Sequence, residues 1–520
     1  CLGSSLMAQS ITPFSISAPG FMGLNKQDAP VDLSPNFALD ATNCIIDKAG
    51  RIGARNGWET IHSANTELGT ANITCIGELI ENDGTSTILA AGNGFLFKLS
   101  GATLTTLTYG GGGVAPTISA NNWTFTQLNG IGIFFQRGYD PLIYNPAVST
   151  TTFRRLSEHA TYSGTVPQAN VGISAYGRIW VADTTTDKNT VKWSDVITPQ
   201  VWTGGSSGSL NLLGVWPAGG DEIVALAAHN NFLIIFGRKQ ILIYSGATTP
   251  STMTLSDSIN GIGCIARDSV QNTGEDIIFL SNDGVRSLMR TIQEKSSPIR
   301  NISKNVNDDV IAYSKFDTLD NVKSVYSRSN QFYLLTFPAS SITYCFDMRY
   351  PLQDGSSRAT VWTGINPKAF CDSKSGILYL GEPGNLAKYS GYLDNAATYR
   401  LSYFTTWIDF GNPIQTSILK KIILTLIGLT SQSIIVKWAY DFSSVYSSQS
   451  TTVQSGFTIA EYGIAEYGID EYSGGTDIST VSVNGTRSGK VLQFGLEVEI
   501  SGYSFSIQKI DLFTKDGKLR

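Results

Sequence analysis

The feature that most constrains this chain is a unit of short apolar strands and tight turns that returns along its middle. In residues 223–246, IVALAAHNNFLIIFGRKQILIYSG, Ile223 to Ala228 reads as a strand. His229-Asn230-Asn231 reads as a turn, because Asn tolerates the left-handed backbone that a two-residue hairpin needs. Phe232 to Phe236 is apolar without alternation, as in a strand covered on both faces. Gly237 to Gln240 turns the chain again, and Ile241 to Tyr244 is a third strand. Residues 74–100, 125–145, 173–195, 264–290, 324–350 and 367–391 repeat the pattern, with turns at Asn82-Asp83-Gly84, Asn129-Gly130 and Asn282-Asp283-Gly284. About seven such meanders starting every 40 to 60 residues match the length of one propeller blade. The repeats share shape rather than letters, and a β-sandwich array would give similar turns. A charged fraction of 15%, with 52 glycines, fits β architecture and not a helical bundle. The one clear helical pattern spans about Ser303 to Phe316. The expected fold is therefore all-β, a β-propeller of about seven blade-like meanders followed by a C-terminal antiparallel β-sandwich.

Three segments are expected. Residues 1–65 are largely irregular, punctuated by Pro13, Pro19, Pro30 and Pro35, and suit an arm that contacts a neighbouring subunit or adaptor. Residues 66–398 hold the propeller. Residues 399–520 hold longer alternating strands, such as KKIILTLIGL and SIIVKWAYDF, which suit a sandwich. This last segment also carries a short repeat, IAEYGIAEYGIDEYSGG, in which Tyr462, Tyr467 and Tyr472 recur at five-residue intervals among Glu461, Glu466, Asp470 and Glu471. An odd spacing would send successive tyrosines to opposite faces of a strand, so the segment reads as a series of turns. It is either a solvated loop or an acidic, aromatic projection where copies of the chain converge.

The residues that carry chemistry elsewhere form no set here. Only His62, His159 and His229 exist, and the six cysteines (Cys1, Cys44, Cys75, Cys264, Cys345, Cys371) match no zinc or disulfide spacing. They read as buried thiols in a reducing compartment. Gly110 to Gly113 lacks the Lys and Ser/Thr of a phosphate loop, and Asp183 and Asp187 lack calcium-loop spacing. Asp183, Asp195, Asp221 and Asp283 read as turn or cap residues. Trp180, Trp193, Trp202, Trp216 and Trp362 suit blade cores, or else stacking on sugars. No catalytic residue, cofactor or metal is expected. No run of 18 apolar residues predicts a membrane span, and no signal-peptide pattern opens the chain. Cys1 to Leu6 precede Met7, which leaves two readings: a start at Met7 behind added residues, or a lipidated Cys1. The formal net charge is −5, without the clustered cations of a protein that grips nucleic acid.

The phrases YGRIWVAD, TVKWSD, VWTGG, DEIVALAAHNNFLIIFGRKQILIYSG, INGIGCIARDSV and DIIFLSNDGVRSL occur in an order that resembles the tail nozzle or hub proteins of short-tailed bacteriophages. These are also described as packaged-DNA stabilisation or tail tubular proteins. Residues 23–61 are similar to their N-terminal segment through Asn43, Gly50, Arg51, Arg55 and Gly57. The AEYG repeat and a terminal strand ending in Lys-Asp-Gly-Lys also resemble that group. The resemblance implies a non-enzymatic virion tail protein, made in the host cytoplasm. It implies a homohexameric ring below the portal and adaptor rings, with tail fibres or spikes docked outside. The ring's acidic channel would retain packaged genomic DNA and conduct it at ejection, without sequence-specific binding. Glu461, Tyr462, Glu466, Tyr467, Asp470, Glu471 and Tyr472 are the expected channel-lining or gate residues. Some members of this family are longer, which leaves the fibre-docking surface open. Two alternatives remain, a secreted or lipid-anchored sugar-binding propeller and a propeller glycosidase.

Overall fold

A computed structural model of the chain describes residues 11–118, 122–289, 301–410, 415–428, 432–453 and 478–519. It is all-β and contains a β-propeller. The chain divides into two compact units, one formed by residues 60–343 and 365–389 and the other by residues 1–59, 344–364 and 390–520. The expected boundaries fell at 65 and 398. Residues 344–364 and the start of the chain instead belong with the C-terminal strands.

The first unit is the propeller. Antiparallel sheets follow one another along the sequence, each built by hairpins between neighbouring strands. Ile73–Ile80, Ser86–Gly92, Phe95–Ser100 and Thr103–Thr106 form one sheet. Ile223–His229, Phe232–Gly237, Gln240–Ser245 and Thr254–Asn260 form another. The turn between Ile223–His229 and Phe232–Gly237 is the two-residue hairpin expected, with Asn230 at φ 49° and Asn231 at φ 65°. The fourth strands, such as Thr254–Asn260 and Gly208–Asn211, are more polar, and the sequence pattern did not mark them.

The cores of this unit lie between consecutive sheets. One joins Trp180 and Trp193 to Leu226, Leu233 and Leu242 of the following sheet. The next joins Ile234, Phe236 and Ile243 to Ile277 and Phe279. Phe236 meets Phe279 with ring centroids 5.0 Å apart. Each sheet thus has a neighbour on both faces, which is why Phe232 to Phe236 is apolar without alternation. A further core joins Ile76, Ile88 and Phe97 of the first sheet to Ala369 and Leu386 of the last. That contact closes the ring across nearly 300 positions of sequence.

The predicted helix is present as Asn307–Phe316, preceded by a single 3-10 turn at Lys304–Val306. One expected strand is replaced. Residues 264–271 were read as the opening strand of a meander, but Arg267–Ser269 is a 3-10 turn and only Gln271–Asn272 pairs.

The second unit has two sheets. In one, Gln415–Ile427 lies between Ile478–Asn484 and the long last strand Ser506–Leu519, which also pairs with Ile11–Ser17 and Ile52–Ala54. In the other, Tyr399–Thr405 lies between Phe37–Thr42 and Leu492–Ile500. Ser433–Tyr440 continues that sheet, and Ser447–Thr452 forms its edge. Alternation is visible here: Ser479, Val481 and Val483 of Ile478–Asn484 are buried while their neighbours are exposed. The register of Gln415–Ile427 shifts between Leu419 and Lys421, so Lys420 and Lys421 are both exposed while Leu419 and Ile422 are both buried. A β-bulge of this kind restores the inward face after one extra residue.

Candidate functional site

Two polar constellations stand out among the described residues, one in each unit. The larger lies at the propeller's centre. A cavity of about 280 Å³ is lined by Thr74–Ile76, Trp123–Phe125, Val171–Ile173, Ala225, Leu226, Arg267, Asp268, Lys323 and Ala369, among others. The innermost strands of separate meanders therefore converge on one space.

The Arg267–Ser269 turn puts charge there. Ser269 Oγ accepts from the Leu280 amide at 3.0 Å and donates to the Ala266 carbonyl at 2.7 Å. Tyr333 donates to the Ser269 carbonyl at 2.8 Å, and Ser324 Oγ to the Asp268 carbonyl at 2.7 Å. These bonds fix the turn, and from it Arg267 reaches three places. Its Nε and Nη2 form a fork on Asp268 at 2.7 and 2.8 Å. Nη1 donates to the Asn170 carbonyl at 2.8 Å and to Asn170 Oδ1 at 2.7 Å, and Nη2 donates to Asn122 Oδ1 at 2.7 Å. Asn170 Nδ2 continues to Asp183 at 2.9 Å, which pairs with Lys188 at 2.6 Å and with Arg137. Lys323 Nζ donates to Asp268 from the next meander.

The electrostatics follow from this arrangement. Burial by itself would raise the Asp268 carboxyl, but the Arg267 and Lys323 charges outweigh it and hold the group well below the ordinary carboxylate range. Burial likewise opposes charge on Arg267, and Asp268 more than offsets it. Cys75 lines the same cavity. Burial pushes its thiol up to about 12, against the opposing pull of Lys323. It is an uncharged wall at neutral pH.

The second constellation gathers residues of the N-terminal phrase. Asn43, at φ 55°, donates to Thr363 Oγ1 at 2.9 Å and to the Arg400 carbonyl at 2.8 Å. Its Oδ1 accepts from Arg55 Nε at 3.0 Å and from the Thr363 amide at 2.8 Å. Arg55, with 0% of its surface exposed, forks onto Asp394 at 2.8 and 2.7 Å. Its two Nη groups also reach the carbonyls of Asn56 and Thr363, both at 2.9 Å. The guanidinium lies 4.1 Å from the Tyr399 ring centroid, and the Tyr399 hydroxyl donates to the Arg55 carbonyl. Gly57 runs against the 391–393 segment, and a Cβ there would collide with the Leu393 carbonyl. Gly50 turns at φ 73°, and Arg51 pairs with Asp47 at 2.6 Å. All five letters of the phrase thus have structural work.

The expected gate residues, Glu461, Tyr462, Glu466, Tyr467, Asp470, Glu471 and Tyr472, lie outside the described residues, as does Cys1. The turn readings fit what is seen. Asp221 accepts from the Arg238 and Lys239 amides at 3.1 and 2.8 Å. Asp195 accepts from the Ser206 hydroxyl and amide at 2.7 and 2.9 Å, bonds that hold its carboxyl below the usual range. Asp283 pairs with Arg286 at 3.2 Å. Asp183 goes beyond a turn role, being joined to the axial network. Trp180, Trp193, Trp202, Trp216 and Trp362 are all buried, so none offers a face for stacking on a sugar. Cys44, Cys75, Cys264 and Cys345 are free and buried. Among the described residues no three His, Cys, Asp or Glu converge as metal ligands, and no helix is long and apolar enough to cross a membrane. Sequence reasoning missed the axial network. Its one local signal was the adjacent Arg267-Asp268 pair inside an otherwise apolar stretch.

No family model and no curated protein matches this chain. Among solved structures, the Neurospora crassa Pan2 WD40 domain is similar at 12% identity and a TM-score of 0.39, over 65% of this chain and 98% of that one. YCF48 from Cyanidioschyzon merolae is similar at 11% identity and a TM-score of 0.38, over 64% and 98%. Kuenenia stuttgartiensis hydrazine synthase is similar at 11% identity and a TM-score of 0.35, over 62% and 96%.

Proposed function

We propose that this chain is a structural subunit of a short bacteriophage tail, a nozzle or hub protein that assembles as a homohexameric ring below the portal and adaptor. The observation that carries the reading is the Asn43–Arg55–Gly57 junction. The letters that resemble the nozzle proteins are the ones that bind the N-terminal segment to residues 363, 394 and 400. A phrase with that role belongs to the scaffold of this unit, which is why we give the resemblance weight.

The propeller's own axis supports the same assignment from another side. A space of about 280 Å³ crossed by an Arg–Asp–Lys network cannot pass a duplex, so any DNA conduit has to lie between subunits of a ring. A chain of net charge −5 offers phosphates little to hold. We read the propeller as seven-bladed, because residues of seven separate meanders line its central cavity. We read the two sheets of the other unit as a sandwich, because the Leu419 amide of one sheet donates to the Tyr440 hydroxyl of the other at 2.8 Å. Buried tryptophans remove the main support for a sugar-binding reading.

Electron microscopy of the purified chain, alone and on particles, tests the proposal. The expected result is a six-fold ring on the portal axis. A monodisperse monomer at micromolar concentration that labels no particle would overturn it.

A further inference from the structure

The axial cavity carries an unbalanced charge. Arg267 and Lys323 are both less than one-tenth exposed, and between them they share one carboxylate, Asp268. One positive charge is left over. Cys75 cannot supply the missing negative charge, because its thiol keeps its proton until about pH 12. Asp320 also pulls on Arg267, but it is exposed and therefore screened by solvent. Through Asn170 the network continues to Asp183, which is itself shared by two cations, Arg137 and Lys188. No surplus carboxylate comes from that side.

The two cations differ in how they are satisfied. Arg267 spends its donors on Asp268, Asn170 and Asn122. Lys323 has three N–H bonds, and among the described residues it donates only to Asp268. It lines the cavity beside Thr74, Thr124, Gln271 and Ser324. The Thr74 and Ser324 hydroxyls donate to the Ala91 and Asp268 carbonyls, so the Thr124 hydroxyl and the second N–H of the Gln271 amide are the further donors. A buried ammonium with spare donors, facing a polar space of this size, is costly unless an acceptor of opposite charge completes it.

We propose that the propeller axis is a binding site for a small monovalent carboxylate, held by the Lys323 ammonium with the Thr124 hydroxyl and the Gln271 amide. The site is independent of any role in a phage tail, since it needs only the propeller unit. Its ligand would seal the axis from within and tie the meander that begins at Lys323 to those that carry Thr124 and Gln271.

The test uses the full chain and sodium acetate as the probe, with sodium methanesulfonate, which has no carboxylate, holding the ionic strength constant. Wild type should show a saturable rise in melting temperature with acetate and one acetate site by calorimetry. Lys323→Met should lose at least tenfold in acetate affinity, and Lys323→Arg should stay within about threefold. The Met variant leaves Asp268 paired with Arg267, so in methanesulfonate alone it should melt no lower than wild type, which also checks that it folds. Equal acetate responses in wild type and Lys323→Met would overturn the proposal, as would an absent response in wild type. Sodium chloride at matched concentration is a further arm. A chloride response larger than that of acetate overturns the carboxylate assignment in favour of a spherical ion.

Discussion

Arg55 shows how much can depend on one side chain. All of its donors are taken, its partner Asp394 is only 11% exposed, and its plane lies over Tyr399. Arg55→Met would leave the Asp394 carboxylate without its fork and Asn43 Oδ1 with one donor fewer. The expected loss is about 3–5 kcal/mol, the usual cost of leaving one member of a buried pair alone. Lysine would keep the charge but not the fork, so Arg55→Lys should recover only part of the loss in urea melts. Loss below about 1 kcal/mol for the Met variant would show that the junction is not a structural one. The buried thiols give a separate test. Burial pushes Cys75 and Cys264 up to about 12, whereas thiols in an unfolded chain ionise near pH 8.5. Maleimide or a disulfide reagent at pH 8 should therefore leave both unmodified in the native chain and label both in denaturant, as read by peptide mass spectrometry. The linkage has a definite sign. Between roughly pH 8.5 and pH 12 the folded state holds protons that the unfolded state has released, so these two thiols lower stability as pH rises through that window.

Elements became legible in proportion to how locally they are decided. The Asn230-Asn231 turn and the strands on either side of it could be read because positive φ, turn length and apolar runs are all written within about twenty residues. The Arg267–Ser269 turn could not be read, because Tyr333, Ser324 and Asn170 of the strand Ala169–Ala175 decide it from distant positions. The gaps between sheets were hidden for a similar reason. Gly77 lies against the Phe125 ring and Gly172 against Phe135, each on the neighbouring sheet, and a Cβ at either would enter the ring. These glycines let an aromatic side chain wedge two sheets together, and nothing within a single meander marks them. Gly77→Val and Gly172→Val should each destabilise the chain by about 1–3 kcal/mol through overpacking. By contrast Gly84, with φ 88° and nothing near its Cβ position, should cost only about 1 kcal/mol on change to Ala. Chemical denaturation of the three variants would separate packing from backbone strain. A Gly84→Ala loss equal to the other two would remove the wedge argument.

At the scale of the molecule, the chain begins and ends in the same unit and makes its propeller in between. Sequence patterning could find the strands of residues 399–520 but not their partners, which lie some 360 positions earlier for the pairing of Phe37–Thr42 with Tyr399–Thr405. The same holds for the last strand, whose outer edge is covered by Ile11–Ser17 and Ile52–Ala54. A segment that looked like a free-standing C-terminal domain therefore depends on the first 54 residues for strands in both of its sheets. Expressed alone, residues 399–520 would expose Tyr399–Thr405 as an unpaired edge with Leu401 and Tyr403, both buried in the full chain, open to solvent. Unprotected apolar edges of this kind aggregate or stay loosely packed. The fragment should bind ANS, lack near-ultraviolet dichroism and melt without cooperativity. Co-expression with residues 1–59 and 344–364 supplies the missing strands and should recover part of its solubility. A sharp, two-state melt from residues 399–520 alone would show that the N-terminal strands decorate this unit without completing it. It would also return the first 65 residues to the role of an arm free to reach another subunit.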